Sequence, residues 1–236
     1  MVQRYVIILK LASREGKKYC FVLRLPLHAR KNAYLCSRMN VKNETYCNVA
    51  VCQPQKRHAG AIAQLIMTAM SDECCLNLAG NEHTLHDFQR LITELVCAED
   101  SQYSYRNCLA AMAGDEVVGV CVAYDGALLH VLRHAFVDGA RRAFGIDHSG
   151  MADETSAGEF YIDSLAVADA YRRRGIARLL LLRTIDKALQ AGAPRVGLLV
   201  DKANPNAERL YKALGFEYVG DAAWGGHAMK HLQYVL

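Results

Sequence analysis

Residues 171–177 read Tyr-Arg-Arg-Arg-Gly-Ile-Ala. Three guanidinium groups running into a glycine at the start of a leucine-rich stretch admit three kinds of chemistry: a nucleic-acid contact, a solvated charge run, or a cradle for a phosphate. Nucleic acid fits poorly. The net charge of +4 hides eleven Lys/Arg against two Asp/Glu in residues 1–56, so the remaining 180 residues sum to −5. The arginine cluster thus sits in a net acidic body, without the interleaved aromatics of a nucleic-acid surface. The cradle reading uses Gly175. A buried strand is expected to end near Val167, and a helix begins close to the glycine. The first amides of a helix lack intrahelical partners and carry partial positive charge. Glycine lets an anion approach that backbone, and Ala177 keeps the first turn narrow. Arginines add charge-assisted hydrogen bonds to phosphate oxygens.

Other residue types that could do chemistry lie further along. Glu159, Tyr161 and Asp163 alternate along the strand before the turn, which would place them on one face. Tyr211 sits on a short amphipathic helix and His227 in a glycine-rich loop. The acids Asp147, Asp153 and Glu154, with His148, fall in a polar stretch. Nine cysteines lie between Cys20 and Cys121, an odd number whose spacings match no zinc pattern, so no metal is expected. Without a signal peptide they read as reduced thiols in a cytoplasmic protein. Asn43-Glu44-Thr45 fits a glycosylation triplet, which carries no meaning in that compartment.

The elements that must position these residues are legible from periodicity. Residues 1–25 contain two β-rich runs around a turn-like stretch, a candidate hairpin in a basic N-terminal extension, 1–47. An alternative start at Met39 leaves open whether that extension is native. From 48 to 236 one domain is expected. A short strand at 48–53 leads to a helix carrying Ile62, Leu65, Ile66 and Met70, then to a second with Leu85, Phe88, Leu91, Ile92 and Leu95 on one face and Thr84 as N-cap. Gly114-Asp115-Glu116 marks a hairpin between two strands. Residues 125–158 interrupt with a helix and a polar loop. Then come a buried strand over 159–169, a helix ending at Gly192, a strand, a helix between Asn204 and Gly215, and two strands around the loop 221–228. The order implies an α/β protein, a mixed sheet with helices on its faces. No apolar run reaches the length of a membrane span.

Two blocks make a specific resemblance. Leu165-Ala166-Val167 followed by Arg172-Arg173-Arg174-Gly175-Ile176-Ala177 resembles the acetyl-CoA signature of the GNAT N-acetyltransferase superfamily, Arg/Gln-x-x-Gly-x-Gly/Ala after a strand ending in Leu-Ala-Val. Asn204 to Phe216 resembles its second block, Asn-x-x-Ala-x-x-Leu-Tyr-x-x-x-Gly-Phe. The likeness is sharp over 159–220 and extends from 48 to the end; residues 1–47 have no counterpart.

The resemblance implies the acyl-CoA N-acyltransferase fold, with helices on both faces of a splayed sheet, and transfer of an acetyl group from acetyl-CoA to an amine by direct attack. It places pantetheine on the backbone of Leu165, Ala166 and Val167. It places the pyrophosphate on Arg172, Arg173, Arg174, Gly175, Ile176 and Ala177, with Asn204 in the second block also on the coenzyme. Tyr211 falls where the family keeps the acid that protonates the departing sulfur. The amine needs a base, for which Asp163, Glu159 and His227 are candidates. The 125–158 insertion departs from the compact family pattern and is expected to form one wall of the acceptor site, with His148, Asp147, Asp153 and Glu154 facing a cationic acceptor. A catalytically silent CoA-binding sensor stays open as the alternative, as do a homodimer and a basic arm at 1–56 that docks nucleic acid or an acidic partner. The acceptor itself is not legible, because such folds build specificity in variable loops.

Overall fold

The computed structural model describes residues 5–12, 18–25 and 49–236. Residues 26–47, with Met39 and the glycosylation triplet, lie outside the described residues. Contacts divide the chain into Met1–Thr45 and Tyr46–Leu236. In the first unit β1 (Tyr5–Ala12) and β2 (Lys18–Leu25) pair antiparallel, Tyr5 opposite Leu25 and Ala12 opposite Lys18.

The second unit holds a seven-stranded mixed sheet. Its strands are β3 (Val49–Cys52), β4 (Cys108–Ala113), β5 (Glu116–Asp125), β6 (Phe160–Val167), β7 (Arg195–Asp201), β8 (Glu217–Trp224) and β9 (His227–Val235). Their spatial order is β3-β4-β5-β6-β7-β9-β8, antiparallel throughout except for the parallel pair β6–β7. The helices are α1 (Ala59–Met70), α2 (Asp72–Ala79), α3 (Leu85–Cys97), α4 (Leu129–Phe144), α5 (Ile176–Gln190) and α6 (Pro205–Leu214). One core gathers Ile62 and Ile66 of α1 with Phe88 and Ile92 of α3 against Val120 and Val122. The other gathers Leu180, Leu181 and Ile185 of α5 with Tyr211 and Phe216 against Cys121, Ile162 and Leu198. Val120 and Val122 belong to the first core and Cys121 to the second, as strand alternation requires of a sheet covered on both faces.

Two elements differ from the sequence-based expectation. α2 has no counterpart in it. Its buried positions Cys74, Cys75, Leu78 and Ala79 make a helical face, but Asp72, Glu73 and Asn77 hide that period in an eight-residue window. The loop expected over 221–228 is strand: β8 runs to Trp224, β9 starts at His227, and Ala222 pairs with Met229. Only Gly225 and Gly226 form the turn, with φ of 57° and 83°. Two positive values are what a tight hairpin turn compatible with strand twist demands.

The sheet comes apart at its centre. β6 and β7 pair only at Phe160–Val196, Tyr161–Gly197 and Ile162–Leu198, although β6 continues to Val167 and β7 to Asp201. On its other flank β6 stays paired with β5 as far as Val167 opposite Gly119. A register shift there leaves Asp163 without an opposite residue, between Ile162–Ala123 and Ser164–Val122. This bulge reverses the alternation: Phe160 and Ile162 before it, and Leu165 and Val167 after it, all face the α5 core.

α3 begins with a reciprocal cap. Thr84 Oγ1 accepts from the Asp87 amide at 3.3 Å, and Asp87 Oδ2 accepts from the Thr84 amide at 3.0 Å. Replacing Thr84 by Ala is expected to cost about 1 kcal/mol and to lower Tm by roughly 2–4 °C in a domain of this size, read by thermal unfolding. An unchanged Tm would show that the cap does not hold α3.

Candidate active site

The arginine-glycine turn leads into a helix, as its sequence suggested. Gly175 is the N-cap of α5 with φ 79°, and no side chain caps this helix start. The first amides of α5 are therefore left for an outside partner. Arg173 also lies in the left-handed region, at φ 64°, unusual without a glycine. The turn is anchored from within. Arg172 Nε donates to the Val167 carbonyl at 3.1 Å, and its guanidinium pairs with Asp169 at 2.8 Å. The Arg174 guanidinium lies 5.2 Å from the centre of the Tyr171 ring, whose hydroxyl donates to Glu116 at 2.9 Å. Arg172, Arg173 and Arg174 are all exposed.

Where β6 and β7 part, a cavity of about 520 Å³ opens, within the range of small-molecule sites. Its lining comes from both sides of the sheet. Leu165, Asn204, Ala207 and Tyr211 contribute from the α5–α6 side, and Thr68, Met70, Ser71 and Cys74 from the end of α1 and the start of α2. The cavity thus passes through the gap between the strands. Asn204 Oδ1 caps α6 by accepting from the Ala207 amide at 3.1 Å. Tyr211 is 9% exposed, with its ring edge-on to Phe216 at 5.9 Å. Burial pushes its phenol well above the ordinary value, so it stays protonated at neutral pH. A neutral hydroxyl on the wall of such a cavity can give a proton to a base formed beside it.

An acidic centre lies on the same lining. Asp163, at the bulge, accepts from Ser164 Oγ at 2.8 Å and from Gln102 Nε2 at 3.2 Å. The Tyr124 hydroxyl lies 3.3 Å from Asp163 Oδ2 and 3.4 Å from Glu154 Oε1. One hydroxyl hydrogen cannot serve two carboxylates, so the arrangement is satisfied when one of the two acids carries a proton. Burial and then the charge of Asp163 push Glu154 up to about 7, against the pull of Arg133. Burial also raises Asp163, although bonds from Ser164, Tyr124 and Gln102 oppose it.

Of the insertion acids and histidine, only Glu154 reaches the cavity. Arg133 of α4, 6% exposed, holds it there: its guanidinium donates to Glu154 Oε2, to Asp153 Oδ1 at 3.1 Å and to the carbonyls of Met151 and Ala152 at 3.2 Å. Asp153 also meets His130 at 3.2 Å. Asp147 pairs with Arg141 at 2.9 Å, and the His148 ring stacks on Phe136 with Nε2 2.8 Å from the Leu78 carbonyl. His227 lines the cavity, its Nδ1 3.0 Å from Asp201 Oδ2. Glu159 is buried elsewhere, in the space left by Gly197, where an added Cβ would fall 1.8 Å from its Oε2. It accepts from Thr155 at 2.6 Å and Gln233 at 2.9 Å, with His231 Nε2 at 2.9 Å. Burial would raise Glu159, but the bonds from His231, Thr155 and Gln233 outweigh it and hold the carboxyl below its ordinary value.

Sequence reading missed Tyr124, Gln102 and Arg133. Tyr124 closes the buried run of β5, and Arg133 stands on the buried face of α4. Those are the signals they offered, whereas Gln102 lies in an aperiodic buried loop and offered none.

A family model described as the acetyltransferase (GNAT) family matches residues 75–216. The mycothiol acetyltransferase of Thermobifida fusca (strain YX) is 35% identical over 80 residues, 34% of this chain and 24% of that protein. N-alpha-acetyltransferase 30 of Xenopus laevis is 29% identical over 144 residues, 58% of this chain and 44% of that one. These alignments span less than half the length of either relative. Among solved structures, one described as an acetyltransferase superposes with a TM-score of 0.67 at 25% identity, covering 79% of this chain and 98% of that one. An N-acetyltransferase from Staphylococcus aureus Mu50 gives 0.64 at 21%, covering 78% and 100%.

The raised Glu154 carboxyl has a consequence for stability. Its folded value of about 7 exceeds the ordinary 4.5, so the folded state holds the proton more tightly. The stabilisation is full below pH 4.5 and is lost as pH rises through 7. Between pH 5 and 8 the wild type is expected to lose on the order of 2 kcal/mol more than Glu154→Gln, read by urea unfolding. Parallel pH dependences would show that Glu154 titrates normally.

Proposed function

The chain belongs to the acetyltransferase (GNAT) family, a family that uses acetyl-CoA, and on that premise we propose that it transfers the acetyl group of acetyl-CoA to a primary amine of a small molecule or peptide by direct attack. The observation that carries the proposal is the parting of β6 from β7 with Tyr211 on the wall of the gap and the uncapped start of α5 following β6. Backbone groups of Leu165, Ala166 and Val167 on the side without a neighbouring strand are suited to hydrogen-bond the pantetheine arm. The amides of Arg173 to Ala177, with the guanidinium groups of Arg172, Arg173 and Arg174, suit the pyrophosphate. Asn204 and Ala207 line the cavity together with Leu165. The thioester supplies an activated acyl carbon and a sulfur leaving group.

The residues of this chain then have two protons to manage. Tyr211 Oη holds the one that the departing sulfur takes up. The amine must shed the other, and Asp163, which lines the cavity, suits its receipt. Glu159 is the weaker candidate for that role: Thr155, His231 and Gln233 already surround its carboxylate, which fits it to brace the insertion through Thr155. The described cysteines are all free thiols, in keeping with a reducing, cytoplasmic setting. Among the described residues no helix is long and apolar enough to cross a membrane.

Tyr211→Phe removes the hydroxyl and keeps the ring. It is expected to lower the rate of thiol release from acetyl-CoA by about 10²-fold while leaving CoA affinity within roughly twofold. CoA binding without thiol release across a broad amine panel would instead assign the chain to the silent sensor reading.

A further inference from the structure

We infer that the acceptor is a primary amine with no carboxylate beside it, received as a single ammonium cation by Glu154 and Asp163. The inference rests on the acetyltransfer reading and narrows its substrate class. Three features of the cavity carry it.

The first is charge. The charged side chains on the lining are Glu154, Asp163 and Asp201, with His227 paired to Asp201; among the described residues no lysine or arginine lines it. Arg133 stands behind Glu154, its donors taken up by Glu154, Asp153 and two backbone carbonyls. When an ammonium takes the place of the shared proton, both acids are ionised and the positive charge of the ligand lies against them, because Arg133 is already shared with Asp153. A free amino acid would bring its own carboxylate beside two others with no cation to meet it, and burying a charge without a partner is strongly unfavourable.

The second is an unmet hydrogen bond. Gln102 is 3% exposed and donates its Nε2 to Asp163. The Oε1 of the same amide, behind Asp163 and off the cavity lining, is buried without a partner. A lone buried acceptor calls for a donor. An ammonium, with three N–H groups and no lone pair, supplies donors only; a carboxylate supplies none.

The third is the surrounding wall. Met70, Tyr161, Leu199, Trp224 and Met229 give apolar and aromatic surface around the acids. The Tyr124 and Tyr161 rings stand edge to face with centres 5.9 Å apart. Aromatic faces attract ammonium groups and apolar substituents, and the Trp224 Nε1–H on the same wall, buried without a partner, can donate to a neutral carbonyl such as that of a primary amide. As the N–H bond of the ammonium breaks, an O–H bond forms on the acid pair, and the freed lone pair of nitrogen becomes the nucleophile.

The test uses matched trios: a free amino acid, its primary amide and the decarboxylated amine, built on alanine, phenylalanine and methionine. Binding to the full chain is read by calorimetry, and acetyl transfer by thiol release from acetyl-CoA. In at least one trio the amine and the amide are expected to bind and react at least 100-fold better than the amino acid. Glu154→Gln is expected to weaken amine binding at least tenfold while CoA affinity is retained. The wild-type panel decides the matter if that variant does not fold. A free amino acid used as well as its amide overturns the inference and leaves the acetyltransfer reading intact. Failure of every amine and amide to bind also overturns it. Binding that discriminates against carboxylates without any thiol release defeats the acetyltransfer reading, and the acceptor inference with it, while keeping the amine site.

Discussion

Backbone amides and carbonyls that leave water must find partners, and a strand at the centre of a sheet normally finds them on both sides. After Ile162, β6 keeps its partner β5 and loses β7. That one-sided edge borders the cavity, and an extended ligand can complete it as a strand would. The bulge at Asp163 sits at the point of separation, so the residue that breaks the ladder is also the one that brings a carboxylate to the gap. Opening of the sheet and placement of the acid are one event in the chain.

The insertion makes sense against that edge. α4 and the loop after it would be a surface excursion if only Asp147, Asp153 and His148 were considered, since each finds a local partner. Arg133 changes this. A buried guanidinium with four acceptors gathers the loop over 151–154 and turns one of its acids inward. Thr155, next in line, is tied to Glu159 and through it to His231 and Gln233 of β9. The loop is thus held from two sides, and Glu154 sits between the two attachments.

How much of this was legible beforehand depends on the kind of signal. The turn from Arg172 to Ala177 and the helix from Asn204 to Gly215 could be read because their constraints are local: a left-handed glycine, an uncapped start, a side-chain cap, a proline in the first turn. Tyr211 could be placed on the cavity wall only through its block. α2 was missed because two adjacent cysteines and three polar residues leave too short a period. The turn at Gly225–Gly226 was drawn too wide because Asp221, Ala222 and Ala223 carry weak strand preference, and the pairing with β9 overrides it. The Asp163–Glu154–Tyr124 centre joins residues up to 39 apart in sequence, and no local pattern announces a contact of that range.

The passage of the cavity through the sheet carries an implication for the order of events. A hollow lined from both faces of the sheet lets one reactant settle against one face while the other meets it from the opposite face, with neither obliged to depart first. Such plumbing suits a catalytic cycle in which both partners are held together at the moment of exchange, with no need for the protein to keep the acyl group on a side chain of its own.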